Sequence, residues 1–244
     1  SISVNEIDDV SPLAALTNLY SLNLWKNHIR DVAPLAGLTR LRSLTLSDNE
    51  VTDLTPLASL KSLTELSLSR NQVTDLTPLA GLTNLQYLQL ENNEVTDLTP
   101  LAGLTNLRSL YLTNNKITDV TPLANLKKLW SLYLGGNQIT DIKPLAALKN
   151  VDTLDLARNK LTDLSPLTDL QPSKFLFLEN NEVADLAVLV AMAKKDAEGE
   201  KRFAPFWQVY LNGNPLTDAA KAQTEELKKF SVPSRIVLEP KRKF

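Results

Sequence analysis

Asp155 and Glu179 are the two acids of this chain best spaced for bond-breaking chemistry. They fall on neighbouring strands of the repeat set out below, two positions apart along the strand, which puts them roughly 8 Å from each other. An inverting glycosidase holds its acid and base at such a separation. Two acids on a charged face reach that spacing often by chance, so the pair alone does not make an enzyme. The rest of the catalytic inventory is thin. His28 is the single histidine, cysteine is absent and no nucleophile elbow is present. Gly135-Gly136 is a glycine pair at a strand end rather than a phosphate-binding loop. The expectation is a chain with no catalytic residues and no cofactor.

Metal binding is the second candidate chemistry. Aspartate recurs every 22 residues from Asp9 through Asp31, Asp53, Asp75, Asp97, Asp119, Asp141 and Asp163 to Asp185, and Asp218 follows after a longer gap. Carboxylates stacked about 5 Å apart repel one another, so each needs hydrogen bonds or a cation. Calcium would serve, but the glycine-rich nonapeptide of repeat-type calcium sites and the EF-hand loop are both missing. The simpler reading is that each carboxylate accepts a backbone N–H as the chain turns. No metal site is expected.

Contact chemistry is better represented. Tyr20, Trp25, Tyr87, Tyr111, Trp130, Tyr133, Phe175, Phe177, Trp207 and Tyr210 occupy outward strand positions, and they are ten of the fourteen aromatic residues. Two-residue alternation turns those positions away from the leucine core, so burial does not explain the enrichment. Strand propensity explains part of it. One outward column reads Asn23, Thr45, Ser67, Gln89, Tyr111, Tyr133, Asp155, Phe177, Tyr210. Its first half is small and polar, and its second half is aromatic with one acid. Tyr87, Trp130, Phe175, Arg158, Glu65, Glu91 and Glu179 lie around it. An aromatic patch with a charged rim fits a protein-contact surface, and Tyr and Trp are the residues that anchor such contacts. Two other readings compete. Aromatic faces beside carboxylates also suit sugar rings, and the segment carrying Phe203 and Phe206 could fold over the patch.

These residues are positioned by a repeat. Asn5, Asn27, Asn49, Asn71, Asn93, Asn115, Asn137, Asn159 and Asn181 recur every 22 residues, and Asn214 follows after 33. A fixed period in this range means a solenoid. In a unit such as Leu41, Leu44, Leu46, Asn49, Val51, Leu54, Leu57, Leu60, the alternation around Leu44 and Leu46 gives one short strand. Stacked units therefore build a parallel sheet. A buried asparagine at each bend satisfies backbone groups that the turn leaves unpaired. Ser or Thr before Pro, as in Thr55-Pro56, predicts an N-cap and first helical residue. About five residues remain before the next loop, which suits short 3₁₀ turns. One coil cannot stand alone; stacked neighbours share a core.

The pattern LRSLTLSDNEVTDLTPLASL resembles the leucine-rich repeats of the 22-residue class, and DLTPLAGLTNL at 75–85 and again at 97–107 resembles the bacterial, internalin-like branch. The resemblance covers about residues 2–186. It implies an α/β solenoid: a curved leucine-rich repeat with its parallel sheet on the concave face, 3₁₀ turns on the convex side and a C-terminal helical cap. It also implies a binding role in a bacterial surface or secreted setting, although zero cysteines fit a cytoplasmic protein as well.

The repeats divide the chain into regular coils over 1–186, an irregular last repeat with an inserted helix over 187–216, and a cap and tail over 217–244, all one continuous domain. Nine strands are predicted, centred on Leu22, Leu44, Leu66, Leu88, Leu110, Leu132, Leu154, Leu176 and Val209. Residues 186–195 and 217–230 read as helices, the second capped by Thr217 or Asp218. The first coil, with Ile2, Ile7 and Val10, has nothing above it. A preceding segment is expected to cover it, and an edge-paired dimer is the alternative to a monomer. Net charge is −2, with both signs interspersed, which argues against nucleic acid. No apolar run is long enough to span a membrane. The expected function is non-enzymatic recognition of a protein partner, with Tyr87, Tyr111, Trp130, Tyr133, Asp155, Arg158, Phe175, Phe177, Glu179 and Tyr210 at the contact. A carbohydrate-binding surface and a structural spacer that self-associates within a larger surface protein are the alternatives.

Overall fold

The computed structural model describes residues 1–170, 174–199, 201, 204 and 206–239. Ten strands form one parallel sheet in chain order. They are β1 Ser21–Asn23, β2 Ser43–Thr45, β3 Glu65–Ser67, β4 Tyr87–Gln89, β5 Ser109–Tyr111, β6 Ser131–Tyr133, β7 Thr153–Asp155, β8 Phe175–Phe177, β9 Gln208–Tyr210 and β10 Ile236–Val237. Register is residue for residue: Leu44 pairs Leu66, Leu66 pairs Leu88, and Tyr111 pairs Tyr133. Each outward column is therefore a straight file of side chains across the sheet. β10 exceeds the nine strands predicted. It is two residues long, follows the last helix and pairs Ile236 with Val209, so the 22-residue period carries no trace of it.

The core is one continuous file of leucines, valines and isoleucines, almost all of them closed to solvent. The asparagines stitch it together. Asn93 Nδ2 donates to Leu90 O in its own coil (3.0 Å) and to Leu68 O in the coil before (2.9 Å), while Oδ1 accepts from Val73 N at 2.9 Å. The same bonds recur from Asn27 to Asn181, and each of these asparagines is buried. The residue before each asparagine is left-handed, with φ of 54–58° at Val4, Lys26, Asp48, Arg70, Asn92, Asn114, Arg158 and Asn180. Gly136 and Gly213 hold that place in their own coils.

The expected Ser/Thr cap is corrected. The 3₁₀ turns do begin at Thr-Pro, as at Thr55–Ser59 and Thr77–Leu79, but the residue before is the cap and no side chain caps it. The Asp ladder does that work instead. From Asp9 to Asp185 each carboxylate accepts the N–H two residues on, at 2.6–2.8 Å. Asp75 shows which force wins. Its neighbours Asp53 and Asp97 push its pKa up, yet the Thr77 hydroxyl and Thr77 N–H hold it below the usual carboxylate value. Asp218 stands outside this role and pairs Lys221 at 2.8 Å.

Three helices serve the C-terminal end: α1 Leu167–Leu170, α2 Ala187–Glu198 and α3 Asp218–Phe230. Thr217 caps α3, its hydroxyl accepting from Ala220 N at 3.1 Å. Gln223 of α3 accepts from Leu186 N (2.7 Å) and donates to Asp185 (3.2 Å), fastening α3 to the start of α2. Trp207, counted above among outward aromatics, is fully buried in this end of the core. Among the described residues, no helix is long and apolar enough to cross a membrane.

Candidate protein-contact face

The outward side of the sheet carries the candidate residues, and register determines how they meet. Tyr111 and Tyr133 face each other across β5 and β6, their rings stacked at 4.7 Å and 7°. Phe177 and Tyr210 stack at 4.7 Å across β8 and β9, and Phe175 lies 6.0 Å from Phe177 in a parallel plane. Asp155 separates the two stacks. Trp130 is 55% exposed beside the first, and Tyr87 and Phe175 are also exposed. Tyr111, Tyr133 and Tyr210 are half-buried, each turning one ring face to a neighbour.

Three residues expected on the open face are not open. Phe177 is 8% exposed, Asp155 6% and Glu179 1%. Asp155 folds back on its strand, Oδ1 accepting from Ala157 N at 3.0 Å. It also lies against Gly135, where a Cβ would sit only 2.9 Å from that same oxygen. Neither carboxylate is without a partner. Both carboxylates therefore lie within the floor of the face and are not presented in an open cleft. The covering reading named Phe203 and Phe206: Phe203 lies outside the described residues, and Phe206 is 61% exposed. His28 sits in the open, 3.5 Å from Glu50, away from this face. Among the described residues no group of three or more metal-ligating side chains converges.

The glycine pair acquires a role that its sequence did not suggest. Arg158 reaches across a whole coil to donate to Asn114 Oδ1 at 3.1 Å. Gly136 lies between them, and a Cβ there would collide with that oxygen. Eight non-glycine residues adopt the same left-handed φ at the equivalent place in their own coils, so φ alone does not demand glycine at 136. The close approach of Asn114 does.

The family described as leucine-rich repeats (2 copies) matches residues 39–81, 83–125 and 127–169. Among solved structures, an internalin (inlF) from Listeria monocytogenes is 38% identical, covering 98% of this chain and 67% of its own, with a TM-score of 0.85. An internalin C2 (inlC2) from the same organism is 44% identical, covering 68% of this chain and 74% of its own, at 0.67. This chain belongs to the internalin-type leucine-rich repeat proteins. The functional domain of InlJ from Listeria monocytogenes, which includes a cysteine ladder, is 26% identical over 93% of this chain and 46% of its own, at 0.73. This internalin-type chain has no cysteine and carries its ladder on asparagine. Comparison with curated proteins returned no match. The leucine-rich repeat fold is typical of protein-interaction modules.

The N-terminal half of the same face, small and polar in its sequence column, adds Ser47, Asp48, Ser69 and Arg70 to the residues named above. Ser47 Oγ and Ser67 Oγ lie 2.6 Å apart, Ser67 donates to Gln89 Oε1 at 2.6 Å, and Ser69 donates to Glu91. Trp25 Nε1 donates to Asp48 Oδ2 at 2.6 Å, and Arg70 bonds the other oxygen of Asp48 at 3.3 Å. The signal available in the sequence was the run Thr45, Ser47, Ser67, Ser69 at adjacent outward positions.

Proposed function

We propose that this internalin-type chain is a non-enzymatic recognition module that holds a protein partner on the C-terminal half of its sheet face. The observation that carries the reading is the Tyr111–Tyr133 stack on the open side of β5 and β6, next to the exposed indole of Trp130. Stacked rings present a large rigid surface that loses little side-chain entropy on binding. Tyr111, Tyr133 and Trp130 are the anchors, and Tyr87, Phe175 and Tyr210 extend the contact. Phe177 acts from beneath, as the ring on which Tyr210 rests. Asp155 and Glu179 serve by holding the floor in shape, and Arg158 supplies charge at the edge. Ten strands span on the order of 40 Å, ample for an interface of about 800 Å² per partner.

We further propose that residues 1–186, 187–216 and 217–244 act as one continuous unit in a secreted or surface-exposed setting, as a monomer unless the first strand edge pairs with another copy. The test is capture of proteins from host or sibling-cell extract on the immobilised chain, followed by mass spectrometry. Tyr111→Ala with Tyr133→Ala removes the anchors and leaves the leucine core intact. Capture is expected to fall at least tenfold while the melting curve stays cooperative. Undiminished capture in the double variant would remove this half of the face from consideration.

A further inference from the structure

The polar trough on the N-terminal half of the face has the chemistry of a second site. Two adjoining hollows of about 410 Å³ and 320 Å³ share Thr45, Ser67 and Gln89. Trp25 lines the first and Tyr87 the second, both exposed. The two rings are three coils apart across the sheet and four residues apart along the strand, a diagonal on the order of 20 Å. Between them the floor is built of hydroxyls, an amide and carboxylates. Leu44 and Leu66 lie buried beneath it, so it offers no apolar hole for a peptide anchor.

The floor is pre-organised. Ser47, Ser67 and Gln89 form one hydrogen-bonded relay, and Ser43 donates to Glu65 at 3.0 Å. Trp25 is held at both ends, its backbone N–H on Asn23 Oδ1 at 2.9 Å and its indole N–H on Asp48. Among the described residues, no protein group bonds Gln89 Nε2 or Thr45 Oγ1, and both line the trough. Donors, acceptors and two aromatic platforms are thus already fixed, so a ligand meets them at little ordering cost. The lining carries Asp48, Glu65 and Glu91 against Arg70 alone, and Arg70 is paired with Asp48. That balance, one positive against three negative groups, repels anions.

We propose that this trough binds a neutral oligosaccharide, with hexose faces on Trp25 and Tyr87 and ring hydroxyls on Gln89, Thr45, Glu65 and Glu91. A pyranose has polar edges and apolar C–H faces, the two surfaces the trough offers. The site meets the edge of the protein contact at Tyr87 and does not use its anchors, Tyr111 and Tyr133.

The experiment is a glycan array of neutral gluco-, manno-, galacto- and N-acetyllactosamine tetrasaccharides beside their sialylated and sulfated counterparts. Saturation-transfer NMR on the hits, with the full chain, follows. Binding of at least one neutral probe is expected, with charged counterparts at least tenfold weaker. Trp25→Ala and Gln89→Ala are each expected to weaken it at least tenfold, and Tyr111→Ala with Tyr133→Ala to leave it unchanged. Both trough residues lie outside the core, and melting curves check that the variants fold. No binding of any neutral probe overturns the proposal, as does binding that Trp25→Ala leaves intact. Loss that follows only the tyrosine double variant moves the sugar to the aromatic half and also overturns it. Protein capture that survives Trp25→Ala keeps the two sites distinguishable.

Discussion

Across β2, β3 and β4 the central outward column is Thr45, Ser67, Gln89; across β5, β6, β8 and β9 it is Tyr111, Tyr133, Phe177, Tyr210. Beneath both halves lie the same leucines in the same register, tied by the same asparagine bonds. The backbone leaves every outward column in the same geometry, so side-chain type alone decides what each half can hold. The polar half links serines, Gln89 and carboxylates within its own face, leaves Gln89 Nε2 and Thr45 Oγ1 open, and is hollowed into a trough. The aromatic half stacks ring on ring and turns apolar surface outward. A solenoid can therefore carry two unlike surfaces on one scaffold, because each coil depends on its neighbours for its core and not for its face.

That division predicts equal damage when the shared scaffold is cut under either half. Asn71 donates to Leu46 O and Leu68 O and accepts from Val51 N; Asn159 donates to Leu134 O and Leu156 O and accepts from Ile139 N, all at 2.9–3.0 Å. Asn71→Ala and Asn159→Ala each strand buried backbone groups, and each is expected to cost about 3 kcal/mol in urea unfolding. A difference above about 1 kcal/mol between them would mean that the halves differ in their cores as well.

The scaffold was legible in the sequence because its chemistry is local and repeated. Leucine spacing gave the strands, the Asn and Asp columns gave the bends, and the Thr217-Asp218 pair marked the start of α3. What escaped is non-periodic. β10 rests on two residues after the last helix. Alternation points Phe177, Asp155 and Glu179 away from the leucine core, but says nothing about how closely their neighbours cover them. Gly135 and Gly136 looked like an idle pair because their meaning lies one coil away, in Asp155 and Asn114. Compensation across coils between unlike residues leaves no mark in a period.

Gly136 therefore supplies the next test, confined to the aromatic half. Gly136→Ala adds a Cβ against Asn114 at a left-handed φ of 69°. It is expected to cost about 1–2 kcal/mol and to release the Arg158 contact. The equivalent residue in the polar half, Arg70, already carries a side chain at φ 55°, so Arg70→Ala should cost less. Chemical denaturation of the pair measures it. Smaller again is the stability effect of removing the tyrosine stack. Tyr111→Ala with Tyr133→Ala is expected to change stability by only about 1 kcal/mol, the scale of one aromatic pair, while lowering capture of the partner at least tenfold. A much larger loss would mean that these rings hold the coils together.

The smallest effect runs along the turns on the opposite side, which both halves share. Asp53, Asp75, Asp97 and Asp119 are held below the usual carboxylate pKa first by the hydroxyls of Thr55, Thr77, Thr99 and Thr121, then by the N–H groups of those same residues. Asp9 and Asp163 are lowered first by the N–H of Ser11 and Ser165 and then by the hydroxyls. A carboxylate with a lower pKa in the folded state binds protons more readily when unfolded, so folding gains stability above the unfolded value. That gain is full from about pH 5 upward, declines below about pH 4 and disappears once the native carboxylates are themselves protonated. Every one of these groups is open to water, so each contributes little, and only their number makes the acid limb measurable. Thr99→Ala should shift the pH dependence of the melting temperature below pH 4 and leave it unchanged at pH 7 apart from a constant offset. A pH profile identical in shape to that of the parent chain would show that the threonine hydroxyl does not tune Asp97, and that the backbone N–H sets its ionisation alone.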